Sequence, residues 1–138
     1  MKYQLVLHDD LSEIDRLAEF METLAEAESL DPAAGFNLHL ALEEACSNVI
    51  RYAYPGETGK EFRLDVIADE HQIQFILTDE GIPFNPLENA PEVDITLSAE
   101  DREIGGLGIF LIKQCMSDVN YERREGCNIL TMTYSRTQ

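Results

Sequence analysis

An α+β architecture, with helices on one face of a mixed or antiparallel sheet, is what this sequence predicts. Residues 61–68 and 71–79 alternate apolar and polar residues at the period of a strand, and three longer segments read as helices, the first from its three-or-four spacing, the second from its start and stop signals and the third from an apolar run. Their order along the chain is strand, two helices, hairpin, long connection, helix, hairpin. A length of 138 residues with 44% apolar composition suits one domain, residues 1–138, with a real core.

Each element follows from local pattern. "YQLVL" at 3–7 reads as a short strand, and "DLSE" at 10–13 as an N-cap with an acid three residues on. In the helix that follows, Ile14, Leu17, Phe20 or Met21 and Leu24 form one buried stripe, with Glu13, Arg16, Glu19, Glu22 and Glu26 elsewhere. Asp31-Pro32 opens a second helix, since proline is tolerated at the first position, and it runs to about Tyr54 before Pro55-Gly56 stops it. Phe62, Leu64, Val66 and Ala68 alternate along one strand and Ile73, Phe75 and Leu77 along the next, joined about Asp69-Glu70. From Gly81 to Glu103 the pattern breaks down among three prolines and many charges. A connection that long is often a lid or binding loop. A third helix begins near Gly105 and runs through "LGIFLIKQCM", apolar on almost every side and so expected to be deeply packed. "VNYERR" and "NILTMTY", joined through Glu125-Gly126, make the closing hairpin.

Composition excludes some classes of function. Ten basic against 27 acidic residues give a formal charge of −17, which repels nucleic acid and anionic lipid. The start of the chain has no signal-peptide pattern, and no run approaches the roughly 18 apolar residues of a membrane span, so no membrane is expected and a cytoplasmic location is. Cys46, Cys115 and Cys127 are odd in number and widely spaced, which suggests reduced packing residues rather than a disulfide framework or zinc site.

Three polar features stand against this apolar background. Glu44 and Asn48, in "LEEACSNVI", are four apart on the second helix and therefore share a face, where they can act on one object. Asp79 extends the inward series Ile73, Phe75, Leu77, which points its carboxylate at the core side of the sheet, a costly place unless donors meet it. "EGIPF" follows at once. There Gly81 is expected to take a backbone geometry barred to other residues, and Pro83 to stiffen the exit. An acid held at a pocket mouth by a tight turn suits recognition of an amino group. "GGLG" at 105–108 opens the third helix, where free N–H groups and the helix dipole attract phosphate.

In this order the three pieces resemble the N, G1 and G2 boxes of the GHKL, or Bergerat-fold, ATPases: E-x-x-x-N on a helix, D-x-G-x-P after a strand, G-x-G beyond a lid. "LALEEACSNVIRYAY", "LTDEGIPFNP" and "GGLGIFLIKQCMSDVNYERREGCNIL" look like one compact branch, the anti-sigma factor serine kinases, and the likeness covers nearly all of residues 1–136. The resemblance implies a two-layer ATP-binding sandwich with three main helices on one face of the sheet and an ATP lid at about 82–104. It further implies that Asn48 offers its oxygen to Mg²⁺, that Glu44 acts as general base toward a serine hydroxyl, and that Asp79 accepts from the adenine amino group. Gly81 and Pro83 would shape the base site, and Gly105, Gly106, Leu107 and Gly108 would line the phosphates. Arg51, Lys113 and Arg102 are further candidate cations. The implied partners are a sigma factor and a STAS-domain antagonist, and a homodimer is expected through the first strand and helices.

The chain departs from the superfamily in one place that matters. After the last turn glycine a threonine commonly helps hold adenine, whereas here Cys127 and Asn128 follow Gly126. A hydroxyl is lost, and Asn128 is its possible substitute. Two further readings stay open: a nucleotide-dependent binding switch without kinase activity, and the ATP-binding half of a histidine kinase. Against the latter, no helical histidine module precedes the motifs and the sequence ends just after the last strand.

Overall fold

The computed structural model of the chain describes residues 1–89 and 106–136. Gly105, Arg102 and most of the expected lid at 82–104 lie outside the described residues. Among the described residues five strands, β1 Lys2–His8, β2 Glu61–Ala68, β3 Gln72–Asp79, β4 Asp118–Arg124 and β5 Cys127–Ser135, form one sheet in the order β1-β2-β3-β5-β4. Every pairing is antiparallel, which resolves the alternative between a mixed and an antiparallel sheet. The helices are α1 Ile14–Ala27, α2 Pro32–Tyr52, the single turn α3 Pro86–Asn89 and α4 Gly106–Cys115.

Period-two alternation places the buried apolar residues of the strands on one face, while Val6 and Ile67 fall on the other. Leu5, Leu64, Leu77, Leu130 and Tyr121 are register partners across the whole sheet, and Val66, Phe75, Met132 and Val119 form the next row. Onto this face α1 turns Leu17, Met21 and Leu24, the middle of the stripe read from its sequence, while Ile14 and Phe20 are half-buried. The Asp10 carboxylate caps a 3-10 turn, Leu11–Glu13, rather than α1 itself, and Glu13 reaches back to accept from the His8 N–H at 2.9 Å. Asp31 caps α2 as expected, accepting from Ala34 N at 2.8 Å with Pro32 in the first turn. Small residues Ala41 and Ala45 and the thiol of Cys46 are fully enclosed along α2, and burial pushes the Cys46 pKa up to about 12, so that this cysteine is a packing residue.

The sequence expectation of a deeply packed third helix needs correction. Ile109, Ile112 and Met116 are buried, but Phe110 is 41% exposed. The apolar run is longer than the one face of α4 that meets α2, so its remaining residues extend past the core. Glu125 and Gly126 close the β4–β5 hairpin with φ of 52° and 79°, two successive left-handed residues that match the twist of the flanking strands.

At the far end of the sheet from Asp79, Glu28 ties three segments together. It accepts from the Tyr3 hydroxyl and, at 2.7 Å, from Arg136, which also donates to the carbonyls of Glu28 and Asp69. The Tyr3 bond and then the Arg136 bond hold the Glu28 pKa below its ordinary value, against the opposing effect of burial. A carboxyl lowered in the folded state contributes stability that is present above its unfolded pKa and lost as pH falls through the folded one. Glu28→Gln should therefore lower stability at neutral pH by about 1–3 kcal/mol and flatten the loss of stability as pH falls below the ordinary glutamate range, as read by thermal melts across pH.

Candidate functional site

Four polar residues are buried among the described residues, Ser47, Asn48, Asp79 and Asn128, and three of them line one cavity. Asn48 comes from α2, Asp79 from the end of β3 and Asn128 from β5, where it stands directly opposite Asp79 in the register. Ala45, Val49, Leu77, Leu130 and Phe84 contribute an apolar wall. The free volume at the centre is about 30 Å³, the space of a water or so and less than a purine ring, because Phe84 and Pro86 from the start of the expected lid form part of that wall.

Asp79 is 6% exposed, as its place in the inward series requires. Burial raises its pKa, opposed by hydrogen bonds from Asn128 and from the Gly81 N–H and by the charge of Arg123. Both donors meet the same oxygen: Gly81 N at 2.9 Å and Asn128 Nδ2 at 2.8 Å reach Oδ1. Oδ2 accepts from no described residue.

The turn after Asp79 is held at every available N–H. Glu80 N donates to the Tyr54 hydroxyl at 2.9 Å, Gly81 N to Asp79, Ile82 N to the Ala53 carbonyl at 2.8 Å and Phe84 N to Asn128 Oδ1 at 3.2 Å. Pro83 has no N–H to satisfy. Arg123 fixes the Gly81 carbonyl at 2.7 Å, and the rings of Phe84 and Tyr52 stack with centroids 5.1 Å apart. Gly81 is essential here for a reason other than the one expected. Its φ lies outside the left-handed region, but a Cβ at this position would stand 2.2 Å from the Ala53 carbonyl oxygen and 2.6 Å from the Ala53 Cβ. Close approach to the end of α2 is what demands glycine, not backbone geometry.

Asn48, 5% exposed, makes no hydrogen bond to a described residue, so its amide is available to the cavity. One turn earlier on α2, outside the cavity wall, Glu44 is half-buried, and its Oε1 is enclosed without a hydrogen-bond partner. Burial raises the Glu44 pKa, with Arg51 opposing. The orphaned Glu44 oxygen is costly to leave enclosed, and it and the Asn48 amide that lines the cavity are both suited to a polar occupant. Gly106, Leu107 and Gly108 form the first turn of α4, which packs along α2. Arg51 and Lys113 are exposed. Sequence reading missed Tyr54, Tyr121 and Ala53, whose contributions come from a hydroxyl or a backbone carbonyl that no pattern marks.

An antiparallel sheet covered on one face by α1, α2 and α4, with buried polar groups at the end of its central strand, defines the two-layer Bergerat class of α+β sandwich. Residues 7–134 match the family described as histidine kinase-like ATPase domain, and the chain belongs to that family. Among curated relatives it is 31% identical over 101 residues to a serine-protein kinase RsbW of Listeria monocytogenes, covering 71% of this chain and 64% of that one. An RsbW of Bacillus thuringiensis is 28% identical over 101 residues, covering 71% and 62%. These matches therefore span a little under two thirds of the relatives' own length. Among solved structures, a chain of the SiaB–SiaC complex from Pseudomonas aeruginosa aligns with a TM-score of 0.57 at 15% identity, over 95% of this chain and 89% of that one. The histidine kinase AdeS of Acinetobacter baumannii aligns at 0.52 and 15%, over 99% and 68%. At such identities the likeness is one of fold.

Gly81→Ala should destabilise the chain by about 1–3 kcal/mol, because its methyl would overlap the Ala53 carbonyl, and urea unfolding checks this. A variant as stable as the parent would show that the turn can move away from α2.

Proposed function

We propose that this chain is an ATP- and Mg²⁺-dependent anti-sigma factor and protein serine kinase, which sequesters a sigma factor and phosphorylates a STAS-domain antagonist. The observation that carries this reading is the sharing of one cavity by Asn48 and Asp79, with the unpartnered Glu44 carboxylate one turn away on α2. Membership of the ATPase family and the likeness to relatives named as serine-protein kinases support it.

Asp79 accepts from the exocyclic amine of adenine, and the neighbouring apolar wall takes the ring. The base enters once the Phe84 ring and Pro86 swing outward while Asn128 keeps the Phe84 N–H, at the root of a lid spanning 82–104 in a single domain of residues 1–138. Gly81 lets this wall close against α2, and Pro83 stiffens it. Gly105, Gly106, Leu107 and Gly108 offer backbone N–H groups to the phosphates. The donor set fits a hard cation, since Asn48 presents a buried amide with no other hydrogen-bond partner among the described residues. Its side-chain oxygen would hold Mg²⁺, which when bound offsets the charge of the phosphates. Glu44 takes the proton from the attacking serine hydroxyl as its oxygen bonds to the γ-phosphorus and the bond to the β-phosphate oxygen breaks, releasing ADP. A carboxylate with a raised pKa and a free oxygen is suited to that transfer. No described helix is long and apolar enough to cross a membrane, in keeping with a cytoplasmic kinase acting on protein partners, and we place the chain in a homodimer.

Incubation with labelled ATP and the STAS protein encoded nearest to it tests the reading directly. A labelled serine supports the kinase, whereas ATP-dependent binding of a sigma factor without label supports a nucleotide switch. Glu44→Gln should leave ATP affinity near the wild-type value and lower transfer by about 10²–10⁴-fold, and transfer at the original rate would remove Glu44 from the chemistry. Asp79→Asn should weaken ATP by about tenfold or more while leaving the melting temperature at neutral pH unchanged or raised. The sign follows from the raised pKa. Ionising a buried acid destabilises the fold as pH rises from its unfolded pKa through the folded one, and an amide removes that charge while still accepting from Gly81 and Asn128.

A further inference from the structure

Asn128 uses every hydrogen-bonding position of its amide, and uses all of them inside the protein. Its Nδ2 donates to Asp79 Oδ1 at 2.8 Å and to the Ile82 carbonyl at 2.7 Å. Its Oδ1 accepts from Phe84 N at 3.2 Å and from the Tyr121 hydroxyl. The chemistry of these partners dictates which way the amide faces, because the Phe84 N–H can only donate and the Ile82 carbonyl can only accept. Two N–H donors and two lone pairs are the whole capacity of such a group, so nothing is left for a ligand.

This single side chain joins three parts of the cavity. It fixes the carboxylate opposite it in the sheet, it clamps the turn on both sides of Pro83, and it anchors both to β4 through Tyr121. With Oδ1 of Asp79 occupied by Asn128 and Gly81, Oδ2 remains as its free acceptor. We propose, resting on the reading that this cavity takes the nucleotide base, that Asn128 is a positioning residue for base recognition and not itself a ligand of the base. It stands where a threonine hydroxyl would be expected to touch adenine, yet its work is to aim Asp79 and hold the turn. The base is then read by one fixed acceptor, which favours an exocyclic amine at the purine 6-position and repels the carbonyl oxygen of hypoxanthine.

Affinities of the full chain for ATP and ITP, each with Mg²⁺, test this by calorimetry on wild type, Asn128→Asp and Asn128→Ala, with melting temperatures and amide exchange over 80–84. Asn128→Asp keeps acceptors for Phe84 N–H and the Tyr121 hydroxyl but removes both N–H donors. Wild type should prefer ATP over ITP by about tenfold or more, and both variants should bring that preference to about twofold, with the Phe84 amide still protected in Asn128→Asp. Extra negative charge alone would weaken both nucleotides alike and leave the ratio where it was. An unchanged ATP-to-ITP ratio in folded variants overturns the positioning role while leaving Asp79 as the base acceptor. A wild-type chain that binds the two nucleotides equally, or binds neither, overturns the Asp79 reading and this proposal with it. Should the Asn128 variants not fold, Tyr121→Phe deletes only the hydroxyl that anchors the amide. A lowered ratio there supports the proposal and an unchanged one overturns it.

Discussion

A carboxylate taken out of water has to be met by donors, and the way Asp79 is met organises this end of the molecule. Its place at the tip of β3 follows from strand periodicity, but the side chain stays there because Asn128 lies opposite it on β5 and the chain turns back at Gly81 to present an N–H. Once that turn is made, Ala53, Tyr54, Tyr121 and Arg123 are each committed to holding it. The result is a hydrogen-bonded rim around a cavity whose remaining wall is apolar: the Phe84 backbone is held by Asn128, but its ring and Pro86 meet the cavity through packing alone, which can be exchanged for a ligand ring.

α2 connects this rim to the rest of the site. Its C-terminal end and cap supply the Tyr52 ring and the Ala53 carbonyl that receive the turn, and one turn earlier Asn48 enters the same cavity, with Glu44 a turn behind. The electrostatics of the two ends of the sheet are opposite in sense. Glu28 is lowered by the bonds it receives and stabilises the fold when ionised, whereas burial raises Asp79 and Glu44, so their ionisation works against the fold. Such a contrast is common where one group serves the scaffold and others serve a ligand.

Most elements were legible because their causes are local. Alternation in 61–68 and 71–79, the Asp31-Pro32 start and the Glu125-Gly126 turn each depend on residues within a few positions of one another, and the structure places them as read. The inward direction of Asp79 was legible for the same reason. α4 was misjudged because apolar composition says how much a helix is able to bury, not how much neighbouring surface exists to bury it against, and Phe110 is left 41% exposed. Gly81 was assigned the wrong cause, since a glycine needed for left-handed backbone and one needed for close approach look alike in sequence. The residues that complete the cavity through a backbone carbonyl or a tyrosine hydroxyl left no trace in any motif.

By itself the sequence determined the elements, the α+β order, the acidic surface and the spacing that puts Glu44 and Asn48 on one helical face, because each is a matter of period, charge or turn chemistry along a short stretch of chain. Only the tertiary structure decided that Asn128 grips Asp79, that Ala53 excludes a side chain at Gly81 and that Asn48 opens into the same cavity as both acid and amide. Asp79 and Asn128 are 49 residues apart, and whether they meet depends on β5 entering the sheet between β3 and β4. That choice is made by packing of the whole sheet and its register, which no local pattern carries.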